Sequence, residues 1–203
     1  MTNKTIILLS YYGPAMSWLL GYLSKRNVKK IAYILNAKKP VLKKDYDEIL
    51  KEIKIFEKHG LNVDVIDLEK TDDLEDRLML SGAIYVKGGN TFKLLKAMKE
   101  TGFDKVITNI IAKDVIYIGE SAGSYVACPT IEMAHWKHQD ANKIGLEDLT
   151  ALSLVPYLLT VHYKDEFKTI INNEISKSKY EVRILRDNQL ILIENDKQSI
   201  IEV

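Results

Sequence analysis

Gly119-Glu120-Ser121-Ala122-Gly123 follows the apolar run at 115–118 and precedes a segment that opens with Tyr125 and Val126. A serine set between small residues on a strand-to-helix turn projects its hydroxyl above the carboxyl edge of a sheet, where it can act as a nucleophile. The N-terminus of the following helix aims amide N–H groups and a positive dipole end at a developing oxyanion. A glycine-rich turn with a capping serine would explain the same residues without chemistry. The strand–turn–helix context favours the nucleophile.

A second loop, Lys87-Gly88-Gly89-Asn90-Thr91-Phe92, also lies between an apolar run and a helical pattern. Its two glycines let backbone approach a ligand closely, and Asn90 or Thr91 can cap the next helix. Taken alone, this is an ordinary turn. Paired with the serine turn, it puts two small-residue loops at the carboxyl ends of parallel strands, where open α/β sheets place their sites.

A serine nucleophile needs a base. The histidines are His59, His135, His138 and His162. His59 ends an amphipathic stretch beside Gly60, where an imidazole simply suits a helix C-terminus. His162 ends the apolar run at 158–161, which brings it to the same rim as Ser121, and it is the expected general base. The chain order nucleophile, acid, base points to Glu132, Asp140, Glu147 or Asp148 as the orienting acid. Asp140, in the polar stretch at 135–142, is the first choice and Glu132 the second. His135, His138 and Asp140 could together bind a metal, but a solvated loop explains them better. Neither a metal nor a cofactor is expected.

These residues need a frame. The short apolar runs at 5–9, 30–35, 63–68, 83–86 and 115–118 are rich in β-branched residues and read as strands covered on both faces. Helical patterns at 45–59, 91–99 and 105–111 alternate with them, which predicts a parallel sheet between two helical layers. Beyond His162 the pattern at 164–177 is helical. Apolar runs at 180–185, 190–194 and 199–203 follow, joined by four-residue polar links, and predict an antiparallel meander.

The 203 residues suit one domain. Lys plus Arg number 29 and Asp plus Glu 28, a net charge of +1, and the charges are interspersed. That argues against a nucleic-acid partner. The apolar run after Met1-Thr2-Asn3-Lys4 is too short for a signal-peptide core or a membrane span. A cytoplasmic chain with no membrane partner is expected, and a homodimer is the assembly considered. The single cysteine, Cys128, rules out an internal disulfide and reads as a buried small hydrophobe.

Gly88-Gly89-Asn90-Thr91-Phe92, Gly119-Glu120-Ser121-Ala122-Gly123-Ser124, Cys128-Pro129-Thr130-Ile131 and a strand ending in His162 together resemble the dipeptidase E family of serine peptidases. Aspartyl dipeptidases and cyanophycinases belong to that group. The resemblance implies a three-layer sandwich similar to class I glutamine amidotransferases and hydrolysis of short peptides, aspartyl dipeptides among them. It implies Ser121 as nucleophile, His162 as base, the Gly89 and Ala122 amides as oxyanion-hole donors, and Asn90 as the asparagine of the glycine loop. The family's aspartate after the Pro-Thr-Ile segment has no counterpart at matching spacing, so Asp140 is assigned through a shifted loop. Lys87, Lys137 and Lys164 are the candidates to bind an acidic substrate side chain. A non-catalytic relative that keeps the pocket as a binding module is the alternative.

Overall fold

A computed structural model describes residues 4–39, 43–137, 140–195 and 197–203. His138, Asp196 and the first three residues, which figure in the sequence reading, lie outside the described residues. The elements in chain order are β1 (Thr5–Leu9), α1 (Tyr12–Lys25), β2 (Lys30–Ile34), α2 (Lys43–Lys58), β3 (Asn62–Ile66), α3 (Leu74–Met79), β4 (Ala83–Val86), α4 (Thr91–Glu100), α5 (Phe103–Ile111), β5 (Ile116–Glu120), α6 (Ala122–Val126), β6 (Leu158–Thr160), α7 (Lys168–Ile175), β7 (Val182–Ile184), β8 (Gln189–Glu194) and β9 (Lys197–Glu202).

The main sheet runs β3-β2-β4-β5-β1-β8-β9. Its first five strands are parallel, and β8 and β9 are antiparallel additions on the β1 side. Successive strand residues face opposite layers. Ile6 and Leu8 join the core beneath α3 to α6, whereas Ile7 and Leu9 join the one beneath α1 and α2. Burial on both faces is why β1, β2, β4 and β5 read as near-unbroken apolar runs, whereas β3, at the sheet edge, leaves Asn62 and Val65 exposed, so the expected cover on both faces does not hold there.

The helices follow the same logic. In α2 the buried Ile49, Ile53 and Phe56 recur every three or four residues, and Gly60, at φ 79°, ends the helix in the left-handed region. His59 follows α2, its Nδ1 2.8 Å from the Ile55 carbonyl, as expected of a residue that only finishes a helix. The pattern at 164–177 becomes a 3₁₀ turn at Asp165–Phe167 followed by α7.

The C-terminal antiparallel strands are β8 and β9. The run at 180–185 does not join them. Its strand β7 pairs parallel with β6 in a separate two-stranded sheet. β6 and β7 therefore point the same way, and the short link after β7 runs straight into β8. Among the described residues, no helix is long and apolar enough to cross a membrane.

Candidate active site

Ser121 sits at φ 49° and ψ −103°, between the end of β5 and the start of α6. For a residue with a Cβ this is strained backbone, a cost of about 1–3 kcal/mol that the surroundings must over-determine. They do so with short contacts. The Ser121 N–H donates to the Leu9 carbonyl at 3.0 Å, and the Tyr117 hydroxyl donates to the Gly123 carbonyl at 2.7 Å. A Cβ at Gly123 would stand 2.3 Å from the Val86 carbonyl oxygen, so only glycine lets α6 lie this close to β4. The small residues of the motif are there because the turn is packed from both sides.

The Ser121 Oγ lies 2.9 Å from His162 Nε2, and His162 Nδ1 lies 2.5 Å from Asp187 Oδ1. With Nδ1–H donating to the carboxylate, Nε2 is left as the acceptor for the serine proton. This is the geometry of an activated nucleophile: a base within hydrogen-bond reach, itself oriented by an acid. His162, at φ 55°, is also in the left-handed region.

Ser10, fully buried at the end of β1, joins His162 to Asp187. Its hydroxyl accepts the His162 N–H at 2.8 Å and donates to Asp187 Oδ1 at 3.0 Å. Ser10 therefore contacts both His162 and Asp187, the two residues in line with Ser121. Ser10→Ala is expected to lower kcat by roughly 10-fold with KM little changed, as when an orienting hydrogen bond is lost. Steady-state kinetics on a peptide substrate check this; an unchanged kcat would remove Ser10 from the account.

The other candidates fall as follows. Asp140 is not beside His162. Its Oδ2 accepts the Thr91 N–H at 3.0 Å and also bonds the Thr91 hydroxyl, capping α4. A carboxylate there satisfies orphan donors and the helix dipole, which accounts for Asp140 without catalysis. Glu132 opens a short 3₁₀ turn, and its N–H donates to Thr130 Oγ1. Asp148 is exposed and paired with Lys99, and Glu147 is exposed. The acid at the imidazole is Asp187, after the base in the chain. His135 packs its ring against Phe92, 4.6 Å between centroids.

Gly88 lies against the serine turn, and Gly89, the next residue, sits at φ 154°, where a Cβ would strike the Ala37 carbonyl oxygen at 2.3 Å. Asn90 caps α4 by accepting the Lys93 N–H at 3.0 Å, and its amide nitrogen donates to the Ala141 carbonyl. Ala122 is the first residue of α6, so its N–H has no acceptor within that helix. Cys128 is buried, and burial pushes its thiol well above the ordinary cysteine value.

The model of peptidase family S51 matches residues 7–201. The chain belongs to that family. An uncharacterized peptidase of Listeria monocytogenes is 30% identical over 195 residues, 94% of each chain. A Peptidase E of a Nostoc species is 32% identical over 181 residues, 89% of this chain and 71% of that one. The crystal structure of a putative Peptidase E protein from Listeria monocytogenes superposes with a TM-score of 0.82 at 27% identity, covering 99% of both chains. A peptidase from an acI-B1 Actinobacterium shares the fold, with a TM-score of 0.73 at 13% identity, over 99% of this chain and 88% of that one. As a member of family S51, the chain is a serine peptidase of the Peptidase E type, and its substrates are peptides.

Of the three lysines considered for acidic substrates, one is committed elsewhere. Lys87 of this S51 peptidase is buried between Glu52 at 2.9 Å and Glu120 at 3.1 Å. Burial disfavours its ammonium, but the charges of Glu120 and Glu52 outweigh that and hold its pKa above the lysine range. Lys164 is exposed, 4.0 Å from Glu166. Lys137 is only 7% exposed, its ammonium donates to the Val161 carbonyl next to His162, and it has no carboxylate within ion-pair reach among the described residues. Burial pulls its pKa down to about 8, against the opposing charges of Asp187 and Asp140.

Proposed function

We propose that the chain hydrolyses short peptides with Ser121 as nucleophile, His162 as base and Asp187 as orienting acid, through an acyl-enzyme. The observation that carries this reading is the unbroken line Ser121 Oγ, His162 Nε2, His162 Nδ1, Asp187 Oδ1, with its two contacts of 2.9 and 2.5 Å. The serine hydroxyl passes its proton to Nε2 as Oγ attacks the scissile carbonyl carbon. The Gly89 and Ala122 amides receive the oxyanion, and the imidazolium returns the proton to the leaving amine. Water then repeats the sequence on the ester, with His162 again as base. Asp187 holds the productive tautomer and faces the positive charge that forms on the ring. The same line of contacts leaves no reason to favour the binding-module alternative.

The whole chain acts here as one α/β domain in the cytoplasm, and its interspersed charge supports no nucleic-acid partner. Lys137, whose ammonium bonds the carbonyl next to His162 and which has no carboxylate within ion-pair reach among the described residues, is the residue proposed to favour substrates with an acidic side chain. A panel of Asp-X and Leu-X dipeptides tests this. Asp-X is expected to be hydrolysed faster, and Lys137→Met should lower kcat/KM for Asp-X by at least roughly 10-fold while leaving Leu-X within about 3-fold. Those factors are the scale of one charge-assisted hydrogen bond. Equal losses on both substrates would assign Lys137 to packing instead.

A further inference from the structure

Glu120 directly precedes Ser121, yet none of its contacts is with the triad. Its Oε2 accepts the Gly88 N–H at 2.9 Å and lies 3.1 Å from Lys87 Nζ. The residue is 3% exposed. Gly88 opens the loop whose next residue, Gly89, is one proposed oxyanion donor; Ala122, two residues after Glu120, is the other. We propose that Glu120 is a positioning residue for the oxyanion hole: its carboxylate ties the Gly88–Gly89 loop to the serine turn, so that both donors ride on one frame. This rests on the serine-peptidase reading above and extends it to a residue outside the triad.

The loop needs such a tie. The loop is pinned at its ends, by the Lys87 N–H on the Ile34 carbonyl at 3.0 Å and the Asn90 N–H on the Ala37 carbonyl at 2.8 Å, but between them two consecutive glycines widen the range of peptide orientations, and a rotation there would swing the Gly89 N–H away from the site. The two loops already touch, since a Cβ at Gly88 would stand 3.1 Å from Ser121 Cβ. Packing of that kind fixes a distance, whereas the hydrogen bond to the Gly88 N–H fixes the direction of the Lys87–Gly88 peptide, the one immediately before the peptide that carries the Gly89 N–H. Glu120 is held from behind as well. Lys87 bridges it to Glu52 on α2, and Glu52 accepts from the hydroxyls of Tyr33 at 2.8 Å and Tyr85 at 2.6 Å. The Lys87 ammonium also lies 4.4 Å from the centre of the Tyr12 ring at the start of α1. A buried cluster of this kind is no net gain over a well-packed apolar one, so its place beneath the two donor loops calls for another reason.

The charge count makes the test clean. The cluster holds two carboxylates and one ammonium. Burial pushes the Glu52 carboxyl up, Lys87 pulls it down, and Glu120 pushes it up again. Glu120→Gln leaves Lys87 matched one-to-one with Glu52 and keeps an oxygen for the Gly88 N–H, so it should fold. Glu120→Ala removes that acceptor. Kinetics on a peptide turned over by wild type but not by Ser121→Ala should show kcat falling roughly 10- to 100-fold in Glu120→Ala. That is below the 10²–10³ typical of a donor removed outright. KM should stay within about 3-fold, and affinity for a peptide boronic acid that adds to the serine should fall in step with kcat. The pH profile should keep its shape, because the triad is untouched. Glu120→Gln should recover kcat to within about 3-fold of wild type. If Glu120→Ala does not fold, Glu120→Asp, one methylene short of Gly88, carries the same expectation. Wild-type kcat in the variant without the acceptor, equal damage in Glu120→Gln, or a displaced pH profile would each overturn the proposal alone. A wild type without Ser121-dependent turnover would overturn it together with the serine-peptidase reading.

Discussion

Ser121→Ala is expected to lower kcat by about 10⁴- to 10⁶-fold while the thermal midpoint stays within a few degrees of wild type. The size follows from what is lost. Without the hydroxyl there is no acyl-enzyme, and single removals of a triad serine cost on this scale because the triad works as a unit. The fold should be indifferent. Alanine meets the same strain at φ 49° as serine does, and the turn is held by backbone contacts and by Tyr117 rather than by the serine hydroxyl. Kinetics on the purified variant, with a melting curve on the same sample, separate the two effects. Turnover within 10-fold of wild type would end the nucleophile assignment.

Asp187→Asn is expected to cost at least about 10²-fold in kcat, and Asp140→Asn no more than about 3-fold. An asparagine at 187 can turn its amide toward His162 and stabilise the wrong tautomer, and it removes the negative charge facing the imidazolium. In chymotrypsin-type triads that change costs about 10⁴. The Asp187 side chain is 47% exposed, so solvent screens part of its field and the loss belongs toward the lower end. Among the described residues Asp140 bonds only the first turn of α4, and asparagine is itself a good partner there. Parallel kcat measurements decide between them. A larger loss from Asp140→Asn than from Asp187→Asn would reverse the assignment and restore the chain order nucleophile, acid, base.

The parts legible in the sequence were those set by local pattern. Strands buried on both faces leave near-unbroken apolar runs, and β1, β2, β4 and β5 fall where such runs occur, while β3, an edge strand, carries Asp64 within its run. The small residues around Ser121 answer to packing at one turn, so the motif carries its own explanation. His162 was reachable because a strand end and a histidine coincide. Asp187 was not, because its role depends on topology. It lies in the polar link 186–188, which resembles any turn. It reaches the catalytic rim because β8 runs antiparallel to β1, with Leu190 opposite Leu9, so the start of β8 lies at the carboxyl end of the parallel strands. An antiparallel strand added to a parallel sheet delivers its preceding loop to the active rim, and that is the signal that could have found it. α1 was hidden for a different reason. Its buried Ala15, Met16, Leu19, Leu20 and Leu23 keep helical spacing, but Gly13, Pro14 and Gly21 break the local propensity. Proline in a first turn costs little, and packing against the sheet supplies the rest. β7 shares the composition of β8 and β9, and composition alone does not choose between an antiparallel meander and a parallel partner in β6.

Treatment with a fluorophosphonate probe, followed by peptide mapping by mass spectrometry, tests the central claim most directly. Such a probe reacts fastest with a serine whose proton is being withdrawn by a base. A single adduct on the peptide carrying Ser121 is expected. It should form at a rate that falls at least about 10²-fold in His162→Ala and in Asp187→Asn, as expected when triad members act as a unit. No adduct, or an adduct on any other residue while Ser121 stays unmodified, would contradict the account.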